Sequence, residues 1–395
     1  MKLAIILQLL GASLEAIAGG SQYPLQPAQD ASPAELPHII YGIRGERGYF
    51  GSISRPAKIR IVDVESRTQW EWEATNIDKS IPSQIRSCIE DGVSVTEVKW
   101  AKGGTRIVAI VNNAAIIITH APGDDKDKQV EFAVCITSSH TVELLPDGFL
   151  AVATTGKSPK DGIEVYDIDQ FELKKQLGSS PCALQIITGF PAVHGLLWDE
   201  AEEKLWAVGN DVAPDGSEGS SQSLLRAYPF NTNHSKGWYP IIETGVKSYN
   251  ISPPQQLDVE WTGSDARWWD GPHDLIGVPD ERLMLISTDL DAHVFDAESR
   301  AFLEEDKVIE RFLQGFRPIG ERKGTNGTTL PRSDIKSMSL NGKDYLLYVQ
   351  AIWGGWFGNR ISIIGNGSFQ RDIAVPEQLY KSRWFAEVPK WPTAR

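Results

Sequence analysis

The sequence predicts an all-β protein, on three observations. Short apolar or β-branched runs of about four to seven residues recur along the 395-residue chain, separated by Gly, Asp, Asn and Pro. Helical periodicity is nearly absent. A four-strand order repeats at roughly 40–50 residues, the period of a blade that cannot bury its own face and must stack on its neighbours.

The units follow in order. The N-terminal part supplies three strands, "HIIYGIR", "AKIRIVDVES" and "TQWEWEATN". From Val95 come "VTEVKWA", "RIVAIVN", "AAIIITHA" and "VEFAVCI". The next unit reads "TVELLP", "FLAVATT", "GIEVYDID" and "FELKKQLG"; alternation in its third and fourth strands suits half-exposed outer positions, the apolar second a buried one. From His194 come "GLLWD", "KLWAVGN", "SLLRAYPF" and "WYPIIETG", and from His273 "DLIGVP", "RLMLIST", "AHVFDAES" and "AFLEEDKV". From Lys336 come "SMSLNG", "DYLLYVQ", "RISIIGNG" and "SFQRDIAV". One strand is left over, "SRWFAEVPK", and pairing it with the N-terminal three closes a ring. The expectation is a single β-propeller of six blades over residues 38–391, closed by its terminal strands. A seventh blade fits only within 250–270.

Composition narrows the functions. A net charge of −13 disfavours nucleic acid and anionic membrane as partners. No apolar run reaches the ~18 residues of a membrane span. The start "MKLAIILQLLGASLEAIAGG" reads as a signal peptide over residues 1–18, followed by an extended segment over 19–37. Together with sequons at Asn233, Asn250, Asn326 and Asn366, it predicts a glycosylated protein of the secretory pathway, secreted or lumenal. Cys88, Cys135 and Cys182 permit one bridge at most. No GxSxG elbow, HExxH, P-loop or Rossmann glycine pattern is present.

Three of only seven histidines open successive units at one register. First strands of a propeller line its axis, so equal register brings Thr96, His140, His194, His273, Lys336 and Arg383 into one ring. Any single histidine there is explained as a partner of its own blade's backbone. Three with a lysine are better explained as a site. Imidazoles suit a divalent metal, which Lys336 and Arg383 would repel. The reading preferred is therefore metal-free and without cofactor, with His140, His194, His273 and Lys336 catalytic and an anion or developing oxyanion as their target. Thr96 and Arg383 are expected to contact substrate. Among the acidic neighbours, Asp199 reads as a turn residue, and Asp274 either orients an imidazole or caps a turn. Trp268 and Trp269 in "ARWWDGPHD", with Trp353, Trp356 and Phe357 in "AIWGGWFGNR", lie in loops and are expected to wall a pocket. Trp100, Trp198 and Trp206 lie on strands and read as core.

The motifs "SSHTVELLPDG", "VHGLLWD", "PHDL" and "DIKS" resemble a broad family of secreted propellers of bacteria and fungi, from about Glu97 to Gln350. More narrowly, the length, signal-like start, blade count and Trp-rich loops resemble the fungal hetero-Diels–Alderases of tropolone–sesquiterpene pathways, of the eupenifeldin and xenovulene type. That resemblance implies dehydration of a hydroxymethyl tropolone to a quinone methide and its cycloaddition to a humulene-type sesquiterpene, with small-molecule partners, an oxygenated aromatic and an apolar terpenoid. No motif of that family carries residue roles across, so the roles above rest on the ring. Two alternatives stay open: a lyase or glycosidase acting on a uronate-containing carbohydrate, and a binding propeller without catalysis.

Overall fold

The computed structural model describes residues 36–49, 52–156, 161–169, 182–232, 239–257, 268–320, 322–324, 327–342, 344–352 and 355–391. The signal-peptide reading, Asn233, Asn326, Trp353 and "FELKKQLG" lie outside them. In chain order the strands are β1 (Ile39–Ile43), a hairpin of β2 (Glu46–Arg47) and β3 (Ile53–Arg55), β4 (Lys58–Val62) and β5 (Thr68–Glu73). Helix α1 (Ser83–Glu90) precedes β6 (Val95–Ala101), β7 (Arg106–Val111), β8 (Ala114–Thr119) and β9 (Val130–Cys135). Next come β10 (Ser139–Leu145), β11 (Phe149–Thr154), β12 (Gly162–Asp167) and β13 (Gln185–Thr188). They are followed by β14 (Gly195–Asp199), β15 (Lys204–Asn210), β16 (Ser223–Pro229) and β17 (Lys247–Asn250). Then come β18 (Pro272–Gly277), β19 (Leu283–Thr288), β20 (Ala292–Asp296), β21 (Ala301–Phe302) and helix α2 (Glu305–Arg311). The chain closes with β22 (Ile335–Asn341), β23 (Tyr345–Gln350), β24 (Gly358–Gly365) and β25 (Ser368–Trp384).

The fold is an all-β propeller. Four antiparallel four-stranded sheets stand separately, β6–β9, β10–β13, β14–β17 and β18–β21. A seven-stranded sheet has the order β22-β23-β24-β25-β1-β4-β5, and β2 and β3 pair apart from it. The 17-residue β25 belongs to both halves of that sheet. Arg371–Ala374 pairs with Arg360–Ile363 of β24, while Ser382–Trp384 pairs with Ile39–Tyr41 of β1. The terminal strands thus close the ring. In this fused sheet β25 is the strand common to the β22–β24 hairpins and to β1, β4 and β5.

Several element expectations are corrected. "SFQRDIAV" and the leftover strand are one strand, ending at Trp384 and not continuing to Val388. The fourth strand bonded to β12 is Gln185–Thr188. The fourth strand on β16 is Lys247–Asn250, because "WYPIIETG" contributes only the isolated bridge Phe230–Ile241. "AFLEEDKV" gives two strand residues and then enters α2, whose acidic first turn at Glu305 and Asp306 suits a helix N-terminus.

The core lies between neighbouring sheets. Val142 and Val152, for example, pack in one cluster with Trp198 and Leu205 of the next blade. Trp198 and Trp206 are core, as expected, and Trp206 donates Nε1–H to buried Asp199 at 3.0 Å. Asp199 does turn the chain, accepting from Ala201 N, and it also grips Arg282 through two bonds of 2.7 and 2.6 Å. Cys88 and Cys135 form the one disulfide, tying α1 to β9, and Cys182 is free and exposed. Asn250 and Asn366 are exposed. No helix among the described residues is long and apolar enough to cross a membrane.

Candidate active site at one mouth of the channel

One local device aims the first-strand side chains. In β6, β10, β18 and β22 the pairing skips a single residue: Thr96, His140, His273 and Lys336 each sit opposite no partner. Such a bulge turns two consecutive side chains to the same side of the strand. Left-handed backbone two residues earlier recurs at Ser138, Ala192, Asp334 and Gln378, with φ of 61°, 54°, 59° and 72°. Non-glycine residues adopt that conformation only where the surroundings enforce it, which is common at functional sites.

The structure brings His140, His194, His273 and Lys336 together. The His140 and His194 rings lie 4.3 Å apart and those of His194 and His273 5.5 Å apart, while Lys336 Nζ stands 2.8 Å from His273 Nε2. Thr96 holds the equivalent place on β6, half-buried, its hydroxyl without a hydrogen-bond partner. The closing blade contributes Tyr380 and not Arg383. Gln378 and the shift between Tyr41 and Ile43 set the bulge of β25 three residues earlier than strand alternation implied. Tyr380 stacks edge-on against His140 at 4.9 Å, and its hydroxyl lies 3.5 Å from His273 Nδ1.

Arg383 lies one layer deeper, in a buried plug. It forks onto Asp274 with two bonds of 2.6 Å and reaches Glu97 at 3.1 Å. Lys381 joins Glu97 at 3.0 Å and Asp274 at 3.2 Å. Asp274 therefore neither orients an imidazole nor caps a turn. Against the pull of burial, Arg383 and Lys381 hold its carboxyl below the usual range, and the same two cations lower Glu97. Further along the same strands Lys99 binds Glu143 at 2.6 Å, and there burial outweighs the lysine and raises the carboxyl. Half-buried Trp100 lines a cavity of about 70 Å³ beyond them, closed by the chain from Trp384 to Trp391. Trp100 is thus a wall of the second mouth and not core.

At the ring, charge is closely matched. His273 Nε2 lies 2.8 Å from Asp289 and 3.2 Å from Asp334. Asp334 also binds Lys336 and, through its other oxygen, Arg322 at 3.0 Å. Burial and Lys336 oppose the imidazolium of His273, yet the two aspartates prevail and raise its pKa. Burial, and then the positive groups nearby, press His140 and His194 well below their usual value. His194 Nδ1 lies 2.8 Å from Ala192 O and must donate to it, which leaves Nε2 with its lone pair. Asp270 accepts from Leu290 N and Ser252 Oγ; burial, with Asp289 second, pushes it up to about 7. Asp270 and Asp289 escaped the sequence reading because they sit in loops, the latter just beyond β19.

The tryptophan wall is present in part. Trp268, Trp269 and Trp356 line a cavity of about 200 Å³ with His194, His273, Asp289, Asp334 and Lys336. Trp269 Nε1 is buried without a partner, and Trp356 is 61% exposed at the rim. Phe357 stands beside the cavity and stacks on Tyr380, with the Arg44 guanidinium 4.5 Å from its ring centre.

No family model and no curated protein matches the sequence. Among solved structures, a chain of the mitotic checkpoint complex is similar at 11% identity and a TM-score of 0.40, over 94% of this chain and 90% of that one. A functionally unknown protein from Desulfotomaculum acetoxidans gives 11% and 0.45, over 87% and 98%. Kluyveromyces lactis Hsv2 gives 11% and 0.38, over 83% and 75%. Likeness this distant transfers no activity, and the propeller rests on its own hydrogen bonding.

Proposed function

We propose that the tryptophan-walled cavity is the active site of an acid–base enzyme that expels water from a small hydroxylated ring, the first half of the hetero-Diels–Alder reaction that the sequence resembles. One observation carries this reading: His194, whose Nδ1 is engaged by Ala192 O and whose Nε2 is free, shares the cavity lining with His273, burial pressing the first imidazole down and Asp289 and Asp334 raising the second. Two groups whose environments push their pKa values apart make a base and an acid. His194 Nε2 takes the proton of the tropolone hydroxyl. His273 gives one to the departing hydroxymethyl oxygen as the C–O bond breaks, and water and a quinone methide result. The proton on His194 then returns to His273, the neighbouring ring.

The cavity volume limits what sits where. A cavity of about 200 Å³ has room for one small ring. The quinone methide is held within, where exclusion of water protects it, and the sesquiterpene alkene lies outside against Trp356. Cycloaddition then needs orientation and no further proton. Because Lys336 shares atoms with His273 and Asp334, the reaction is written without metal or cofactor. The same pairing counts against a uronate substrate, since Lys336 and Arg322 are both engaged by Asp334 and leave little positive charge for an anion.

The test is incubation of the protein with a hydroxymethyl tropolone and humulenol, in parallel with a uronate-capped oligosaccharide, products being read by mass. An adduct of the two substrates less one water supports the proposal. Cleavage of the oligosaccharide replaces it with the lyase reading, and product in neither arm leaves a binding propeller.

A further inference from the structure

Lys336 is almost wholly buried, at 2% exposure, on the cavity lining beside His273. It ends among three potential ligand atoms, His273 Nε2, Asp289 Oδ1 and Asp334 Oδ1, which lie within 4.8 Å of one another. Around an octahedral ion with bonds of about 2.1 Å, adjacent ligands stand about 3.0 Å apart. The separations from Nε2 are 2.8 Å to Asp289 and 3.2 Å to Asp334. Lys336 Nζ is 2.8 Å from the same nitrogen and in contact with the same Asp334 oxygen.

The groups behind these atoms are arranged as metal ligands usually are, each held through its other end. Gly271 N donates to Asp289 Oδ2 at 3.0 Å, which turns Oδ1 inward. Arg322 holds Asp334 Oδ2. The Tyr380 hydroxyl faces His273 Nδ1. We infer that Lys336 is a built-in cation seated in a divalent-metal cradle, and that deleting its ammonium opens His273, Asp289 and Asp334 to an ion such as Mn²⁺ or Zn²⁺. One imidazole and two carboxylates suit such ions and not soft ones. The inference stands apart from the proposed reaction, because neither readout below needs a substrate.

The experiment compares intact protein, Lys336→Ala and the Lys336→Ala/His273→Ala double variant after dialysis with Mn²⁺ or Zn²⁺. Metal content and melting temperature are measured for each. Lys336→Ala is expected to retain about one ion per chain and to melt higher with metal than with chelator, since ligation couples to folding. Intact protein and the double variant should retain none and melt unchanged. A stoichiometric ion in the intact protein, lost on His273→Ala, overturns the inference, as does a folded Lys336→Ala that takes up none. If that variant folds only when metal is supplied, the inference is supported. If it folds under neither condition, Lys336→Gln, which keeps length and a donor, is measured the same way, and its failure to respond to metal overturns the inference.

Discussion

Replacing Arg383 with methionine should unfold the protein more readily without touching the chemistry directly. The guanidinium is 7% exposed and makes four bonds in the plug: two to Asp274, one to Glu97 and one to Met338 O. Methionine keeps much of the volume and leaves the two buried carboxylates with Lys381 as their remaining ion-pair partner. Breaking a buried pair from one side costs ~3–5 kcal/mol, and because Lys381 still reaches both acids the lower end, about 3 kcal/mol, applies. With an unfolding entropy of about 2.1 cal/mol/K per residue over the chain, that is a fall in Tm of about 4 °C. The pH dependence has a definite sign. The depressed carboxyl of Asp274 stabilises the fold above its unfolded value near ~3.9, and that contribution disappears as pH drops toward the folded value. Without Arg383, burial dominates and raises the carboxyl, so the variant gains stability as pH falls from 7 toward 4. The deficit is therefore largest at neutral pH. Thermal melts of both proteins at pH 7 and pH 4, followed by tryptophan fluorescence, measure it. A variant that melts with the intact protein refutes the plug. An unchanged Tm with activity lost would return Arg383 to the substrate.

The remaining predictions concern the histidine ring, the cavity rim and the disulfide. His194→Ala should lower turnover by about 10²–10⁴, the range for a lost base, with stability changed by only about 1 kcal/mol; early melting or full activity would remove it from the chemistry. Trp356→Ala, at the exposed rim, should raise KM for the apolar partner and leave kcat and Tm alone. If KM is unmoved, the alkene binds elsewhere. Cys88→Ala opens a link spanning 47 residues and should cost up to about 4 kcal/mol in melts, whereas Cys182→Ser should be silent; equal melting of the two variants would contradict this.

The propeller and most of its ring were legible in the repeated strand pattern. Each blade repeats the same strand order, and His140, His194, His273 and Lys336 occupy one place in it, so local pattern and repeat suffice to converge them. The sequence also marked the tryptophan loops, since aromatic residues among glycines have no strand to pack in. Tertiary structure alone decided which residue of the closing blade joins the ring. The left-handed Gln378 and its bulge put Tyr380 there, and a period of two along a strand carries no trace of such an offset. The same bulges explain the hidden plug. Strict alternation sends neighbours such as Thr96 and Glu97, or His273 and Asp274, to opposite faces, whereas the extra residue turns both toward the axis. Glu97, Asp274, Lys381 and Arg383 therefore meet only when three blades close around them. Asp289 reaches His273 in a similar way, from a loop whose position depends on pairing 16 residues apart in sequence.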